Sequence, residues 1–416
     1  MKGEDIAAVW EAEGDAESPV ILPGKEGEAG PLAEEDSRAR TLKAWRAGWK
    51  APFKMPTTEP DSPPSILRHG DVDAGPYRGS AGILAGAGAV GKSWAALDLA
   101  VMVAAGATKD GATKWLGFEV VASGRVVYVA AEDPAEVLGG RLYRLATKLD
   151  EEQRARLKDR LHVVALADAD PELLRVWRIA RQMNPDEARA AGVAVSWKDE
   201  GGEPVPLRSP SVAETKTIPS EFLKTMAEDL KTAKEADKGV ALVVLDPLSR
   251  LGGSDAETDN AVAARLMRAL GGLAADAGAA VIVVHHTTKA ARKPGEKPTG
   301  TGIRGASALS DGARWTAEMI GDEEGSGVTL SVSKTSYGRG VAPVRLVRET
   351  WGGLREENEG EAKGRETAAA ASVAAKNGKA GGAKAARADQ SKSKNGKGSG
   401  TGANRTREIG PGDSHD

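Results

Sequence analysis

Residues 86–93 read Gly-Ala-Gly-Ala-Val-Gly-Lys-Ser and satisfy the phosphate-binding pattern G-x-x-x-x-G-K-[ST] at every fixed position. Such a loop works only between a buried strand and a helix, so it commits the chain to an α/β fold. Both flanks are legible. Gly82-Ile83-Leu84-Ala85 is a short apolar run that reads as a strand. The Ala/Leu-rich segment from Trp94 to about Ala105 reads as a helix whose N-terminus faces the loop. Gly86, Gly88 and Gly91 are expected to let the backbone curl and turn its N–H groups inward. The nucleotide-contacting set is then Gly86, Ala87, Gly88, Ala89, Val90, Gly91, Lys92, Ser93 and Trp94. Lys92 supplies a mobile cation for the β- and γ-phosphates of ATP. The Ser93 hydroxyl supplies a hard oxygen for Mg²⁺.

The pattern downstream of the loop repeats. Apolar runs at Val126–Ala131, His162–Leu166, Val240–Leu245 and Ala280–Val284 alternate with helix-like stretches at 135–149, 220–236 and 260–276. Continuous apolar runs predict strands buried on both faces of a mostly parallel central sheet flanked by helices. After residue 312 the runs Arg314–Ile320, Val328–Val332 and Pro343–Arg348 are shorter and separated by Gly-rich turns. They read as antiparallel strands at the C-terminal edge of that sheet. Residues 190–217, rich in Gly, Pro, Ser and Lys, read as an irregular insertion.

Composition marks the rest. Residues 1–64 are acidic and Pro-rich, and residues 359–416 are basic and rich in Ala, Gly and Lys. Neither has the apolar content to offset the entropy of ordering, so both are expected to be disordered around a domain spanning 65–358. The basic tail reads either as a solvated linker or as an arm that touches nucleic acid. The chain has no cysteine, which excludes disulfides, thiol catalysis and Cys-ligated metals. No leader and no run long enough to cross a bilayer are evident, so a soluble, cytoplasmic protein without membrane contact is expected.

A nucleotide hydrolase also needs a second Mg²⁺-directed carboxylate, a residue that orients water and a sensor of the γ-phosphate. Asp246 ends the run Val240–Leu245 and is placed to be the second metal-site residue beside Ser93. Pro247 follows it, so the water-orienting base must come from elsewhere. Glu132, at the end of the second strand, is the candidate, beside the phosphate loop if the two strands are neighbours. Asp133 is the fallback. His285 and His286 end the fifth strand, where a polar side chain can contact the nucleotide. The loop that follows, 287–304, carries Lys289, Arg292, Lys293 and Lys297, candidates for a DNA backbone contact.

With these residues placed, the chain resembles the RepA family of hexameric replicative helicases, RecA-like ATPases of plasmids and phages. The resemblance covers roughly residues 65–355. It rests on the phosphate loop together with Tyr-Val-Ala-Ala-Glu-Asp-Pro (128–134), Val-Val-Leu-Asp-Pro-Leu-Ser-Arg (243–250), His-His-Thr-Thr-Lys (285–289), Arg-Gly-Ala-Ser-Ala-Leu-Ser-Asp-Gly-Ala-Arg-Trp (304–315) and Ser-Lys-Thr-Ser-Tyr-Gly (333–338). It implies a RecA-like P-loop core, ATP and Mg²⁺ as cofactors, a homo-oligomeric ring, single-stranded DNA as partner and contact with other replication proteins. It also implies that Arg314 is an arginine finger acting in the neighbouring subunit's site, and that Lys334 senses the same nucleotide. The alternative is a recombination, repair or regulatory ATPase that binds DNA without unwinding it.

Overall fold

The computed structural model describes residues 62–368, except 110, 183–195, 199–203, 207–210, 288–302, 304 and 323–326, and also Arg46. Contacts divide the chain between Asp61 and Ser62, and the fold below belongs to the second unit.

Nine strands form the main sheet, in the order β17-β16-β15-β14-β3-β13-β12-β6-β7. They are β3 (Ala81–Gly86), β6 (Arg125–Ala130), β7 (Leu161–Ala165), β12 (Val240–Asp246), β13 (Ala280–His286), β14 (Trp315–Gly321), β15 (Gly327–Thr335), β16 (Val344–Arg348) and β17 (Leu354–Glu356). Every residue of β3 and β12 is buried, as continuous apolar runs between two helical layers require. One face packs on α1 (Lys92–Ala105), α2 (Ala135–Ala146) and α3 (Glu151–Arg160), through Leu97, Leu138 and Leu157. The other packs on α4 (Glu221–Glu235) and α7 (Asn260–Ala277), with the short helices α5 (Leu248–Leu251), α6 (Gly253–Thr258) and α8 (Ser307–Gly312), through Leu230, Leu266 and Leu309. Two apolar cores thus sandwich the sheet, and the architecture is the expected α/β one.

Three details differ from expectation. First, β14 runs parallel to β3, with Trp315 opposite Gly82 and Met319 opposite Gly86. Only β15, β16 and β17 extend the edge in antiparallel fashion. Short apolar runs carry no record of strand direction, so the sequence had suggested antiparallel pairing for all three runs. Second, β3 and β6 are not neighbours, because β13 and β12 lie between them. Third, the insertion is regular where it is described. β8 (Leu174–Gln182) and β11 (Ser211–Pro219) pair antiparallel over nine residues, and β9 (Ser196–Lys198) pairs with β10 (Pro204–Pro206). Leu173 and Ser220, at the base of this arm, are joined by a hydrogen bond of 2.9 Å from the Ser220 amide.

A small sheet, β2-β1-β5-β4, is built from β1 (Leu67–His69), β2 (Val72–Asp73), β4 (Lys114–Trp115) and β5 (Phe118–Val120). It buries Trp115, whose indole N–H donates to the Ala95 carbonyl of α1 at 2.8 Å. Residues 359–368 are helical, within the segment expected to be disordered. The remainder of that tail and residues 1–61, apart from Arg46, lie outside the described residues.

Candidate functional site

The phosphate loop leaves the end of β3 and enters α1 at Lys92. Its curl comes from two left-handed residues, Ala89 (φ 60°) and Gly91 (φ 101°). Gly91 is needed for that φ. Gly86 is needed for space, since a Cβ there would lie 2.8 Å from the Met319 carbonyl oxygen. Gly88 faces open space and has no such constraint. The N-cap residue of α1 is Gly91, with no side-chain cap and no acidic residue in the first turn. The helix therefore presents bare N–H groups and the positive end of its dipole to the cavity of the loop.

Lys92 lies across this cavity. Its Nζ donates to the Ala87 carbonyl at 2.7 Å and sits 3.4 Å from His286 Nδ1. Parallel pairing sets His286 opposite Gly86. The two histidines consequently divide. His286 faces the phosphate loop. His285 is fully buried, one residue earlier on the strand and so on the other face, in the same row as Ala85 and Glu318. Any direct nucleotide contact from this pair falls to His286.

Asp246 ends β12 with 5% of its surface exposed. Burial pushes its carboxyl above the usual range, and hydrogen bonds from the Tyr128 and Ser93 hydroxyls pull it back. The Tyr128 hydroxyl donates to Asp246 Oδ2 at 2.6 Å. Burial, together with the carboxylate, raises the Tyr128 pKa well above the phenol range, so the ring stays a neutral donor. Ser93 and Asp246 thus meet as a pair of hard oxygens beside the N-terminus of α1. Two protein oxygens with open positions suit Mg²⁺, which keeps waters and phosphate oxygens around it. Among the described residues no cluster of three or more His, Asp or Glu side chains forms a closed metal cage.

Glu132 follows β6 and is exposed. The expected adjacency of its strand to β3 is absent; β6 instead neighbours β12, with Ala130 opposite Asp246, and the Glu132 charge adds a small upward push on the Asp246 carboxyl. Its segment is held on both sides. The Arg250 guanidinium donates to the Ala131 carbonyl at 3.3 Å. Arg141 engages both carboxylate oxygens of Asp133, at 2.5 and 3.1 Å, and stacks over Trp94 at 5.4 Å. Asp133 is committed to that pair. Trp94 itself packs edge-on against Trp351. Tyr128, Arg141 and Arg250 were missed as site residues; for Tyr128 and Arg250 the signal was their position inside the quoted motifs.

Arg314 and Lys334 lie elsewhere. The Arg314 amide donates to the carbonyl of Ala81, the first residue of β3, at 2.9 Å. The five steps along β3 from Ala81 to Gly86 put it roughly 17 Å from the phosphate loop at 3.3 Å per residue, beyond the reach of an arginine side chain. The Lys334 ammonium caps α8, donating to the Ser310 carbonyl at 2.7 Å and to Asp311 at 3.1 Å. Burial, with help from the Arg314 charge, lowers its pKa. Arg314, Arg268, Asp311 and Tyr337 line a cleft of about 540 Å³ at this end. Lys289, Arg292, Lys293 and Lys297 lie outside the described residues; the feet of their loop are joined by a bridge between Thr287 and Ile303.

The sheet order, the loop geometry and the Ser93–Asp246 pair define a P-loop ATPase core. Residues 60–292, more than half of the chain, match the family described as an AAA domain, and the chain belongs to that family. A solved structure described as a DnaB-like replicative helicase and its interactions with primase is similar at 13% identity and a TM-score of 0.44, over 80% of this chain and 69% of that one. No helix among the described residues is long and apolar enough to cross a membrane.

Proposed function

We propose that this protein is an ATP-driven, ring-forming motor that moves along single-stranded DNA, a replicative helicase of the RepA type. Residues 65–358 are the motor in this reading, and the two terminal segments are appended arms. Lys92, Ser93 and Asp246 hold MgATP, Glu132 orients the attacking water, and His286 senses the γ-phosphate. The loop carrying Lys289, Arg292, Lys293 and Lys297 contacts the DNA backbone.

One observation carries the ring. Arg314 stands at the opposite end of β3 from the phosphate loop, which supports a finger acting on a nucleotide held by another copy of the chain. A head-to-tail interface of this kind closes into a ring when its rotation permits.

Mixing tests it. Lys92→Ala and Arg314→Ala chains are each expected to lack ATPase activity. In a one-to-one mixture with single-stranded DNA, roughly a quarter of interfaces join an intact loop to an intact finger. Activity should return to about that share. A mixture as inactive as its parts would remove the shared site. Unwinding of a forked duplex then separates a helicase from a DNA-dependent ATPase of another kind.

A further inference from the structure

The outer side of the phosphate loop is held by an arginine that no motif contains. Arg348, the last residue of β16, donates through one Nη to the Ala89 carbonyl at 3.1 Å and the Val90 carbonyl at 3.2 Å. The next strand completes the contact. Leu354 of β17 lies against Gly91, where a Cβ would come within 3.0 Å of its Cδ1. Between the strands, the Arg144 guanidinium donates to the Trp351 carbonyl at 2.8 Å and so ties the hairpin to α2.

The backbone explains why a cation belongs there. Left-handed residues at 89 and 91 turn successive N–H groups into the cavity. The carbonyls of the same peptides must then point out. Leu354 packs on Gly91 beside them, and the two carbonyls take their protein partner from Arg348, at the surface for Ala89 and part-buried for Val90. A guanidinium satisfies both at once, and its charge polarises the peptides whose N–H groups face inward. Lys92 holds the loop from inside through Ala87, but that contact ends once Lys92 turns to a phosphate. Arg348 faces away from the cavity and keeps its grip in either state.

We propose that Arg348 is a positioning residue that holds the phosphate loop in its anion-binding shape from behind, without touching the nucleotide. The inference rests on the ATPase reading above. It makes the edge hairpin part of the nucleotide site, since the loop pre-set in its bound form is spared the ordering that phosphate binding would otherwise require.

The test is titration of the full-length protein with magnesium and a ribose-labelled fluorescent ATP, alongside steady-state ATPase kinetics. Arg348→Ala is expected to weaken nucleotide binding about tenfold, the effect of losing one charge-assisted contact. KM should move more than kcat. Arg348→Lys should recover part of the affinity, because the charge returns without the planar fork. Should the alanine variant fail to fold, Arg348→Gln, which keeps a donor and loses the charge, should still bind several-fold more weakly than wild type. Wild-type affinity in the alanine or glutamine variant, or a fall in kcat with KM unmoved, overturns the proposal while the ATPase reading stands. A wild-type protein that binds no nucleotide overturns both.

Discussion

At the carboxyl end of β3 the chain brings together an open helix N-terminus, a lysine across the loop, a buried aspartate hydrogen-bonded to Ser93 and a tyrosine aimed at that aspartate. At the amino end it places Arg314 and Lys334 beside a cleft, with an aspartate and a second arginine for company. The first end has a curled loop, a lysine across it and a pair of hard oxygens. The second has cations and no phosphate cradle. The length of β3 keeps the two ends from meeting within one chain.

The comparison breaks most severely through Arg314. Arg314→Ala should lower ATPase by about a thousandfold, the order an arginine finger supplies, and leave nucleotide affinity near wild type. Normal turnover in the variant would dissolve the division between the ends. A smaller effect sharpens the carboxyl end alone. Tyr128→Phe removes a hydrogen bond to a carboxylate, worth about 1.5–3 kcal/mol, and should raise the Mg²⁺ needed for half-maximal ATPase about tenfold. It also removes a contact that lowers the Asp246 pKa. Metal binding needs the ionised carboxylate and is lost as pH falls through its pKa, so the acid limb of the rate profile should move to higher pH. An unmoved limb would sever Tyr128 from the metal site.

The effect that touches activity least belongs to neither end. Asp98 is buried in α1 among apolar side chains, with Oδ1 lacking a hydrogen-bond partner. Burial pushes its carboxyl from 3.8 to about 7, against a weaker pull from Lys148. The folded protein therefore holds a proton between about pH 4 and 7 that the unfolded chain releases. Stability should fall as pH rises across that window and level off above it. Asp98→Asn should flatten the dependence and raise stability at pH 8 by about 1–3 kcal/mol, read from denaturant unfolding at pH 6 and pH 8. A variant with the same slope would place the titration elsewhere.

The sequence was most informative where chemistry requires one residue type at one place. The phosphate loop, Asp246 at a strand end and the helix after the loop were all legible, because glycine, a carboxylate and an apolar run each have few substitutes. Strand direction was not, since β14 alternates in the same way whether it pairs parallel or antiparallel. The neighbours of β3 were not legible either, because sheet order depends on which helices cross over which face. Ala89 takes the left-handed turn that glycine was expected to carry, which composition does not disclose. Arg141 and Arg348 carried no signal in the sequence and Arg250 only its place in a quoted motif, because contacts across 8, 119 and 259 positions of sequence join them to the loop and its partners.

The arm formed by β8 and β11 leaves the core at Leu173 and returns at Ser220, two residues already joined by a backbone hydrogen bond. In terms of chain path it is a cul-de-sac. Its backbone pairing is internal, strand to strand, and the main sheet borrows no ladder from it. A shorter or longer arm would leave the route through β7, α4 and β12 unchanged. Kinship among such chains would then survive large differences in length between residues 173 and 220, and an aligned core could carry arms of unrelated sequence.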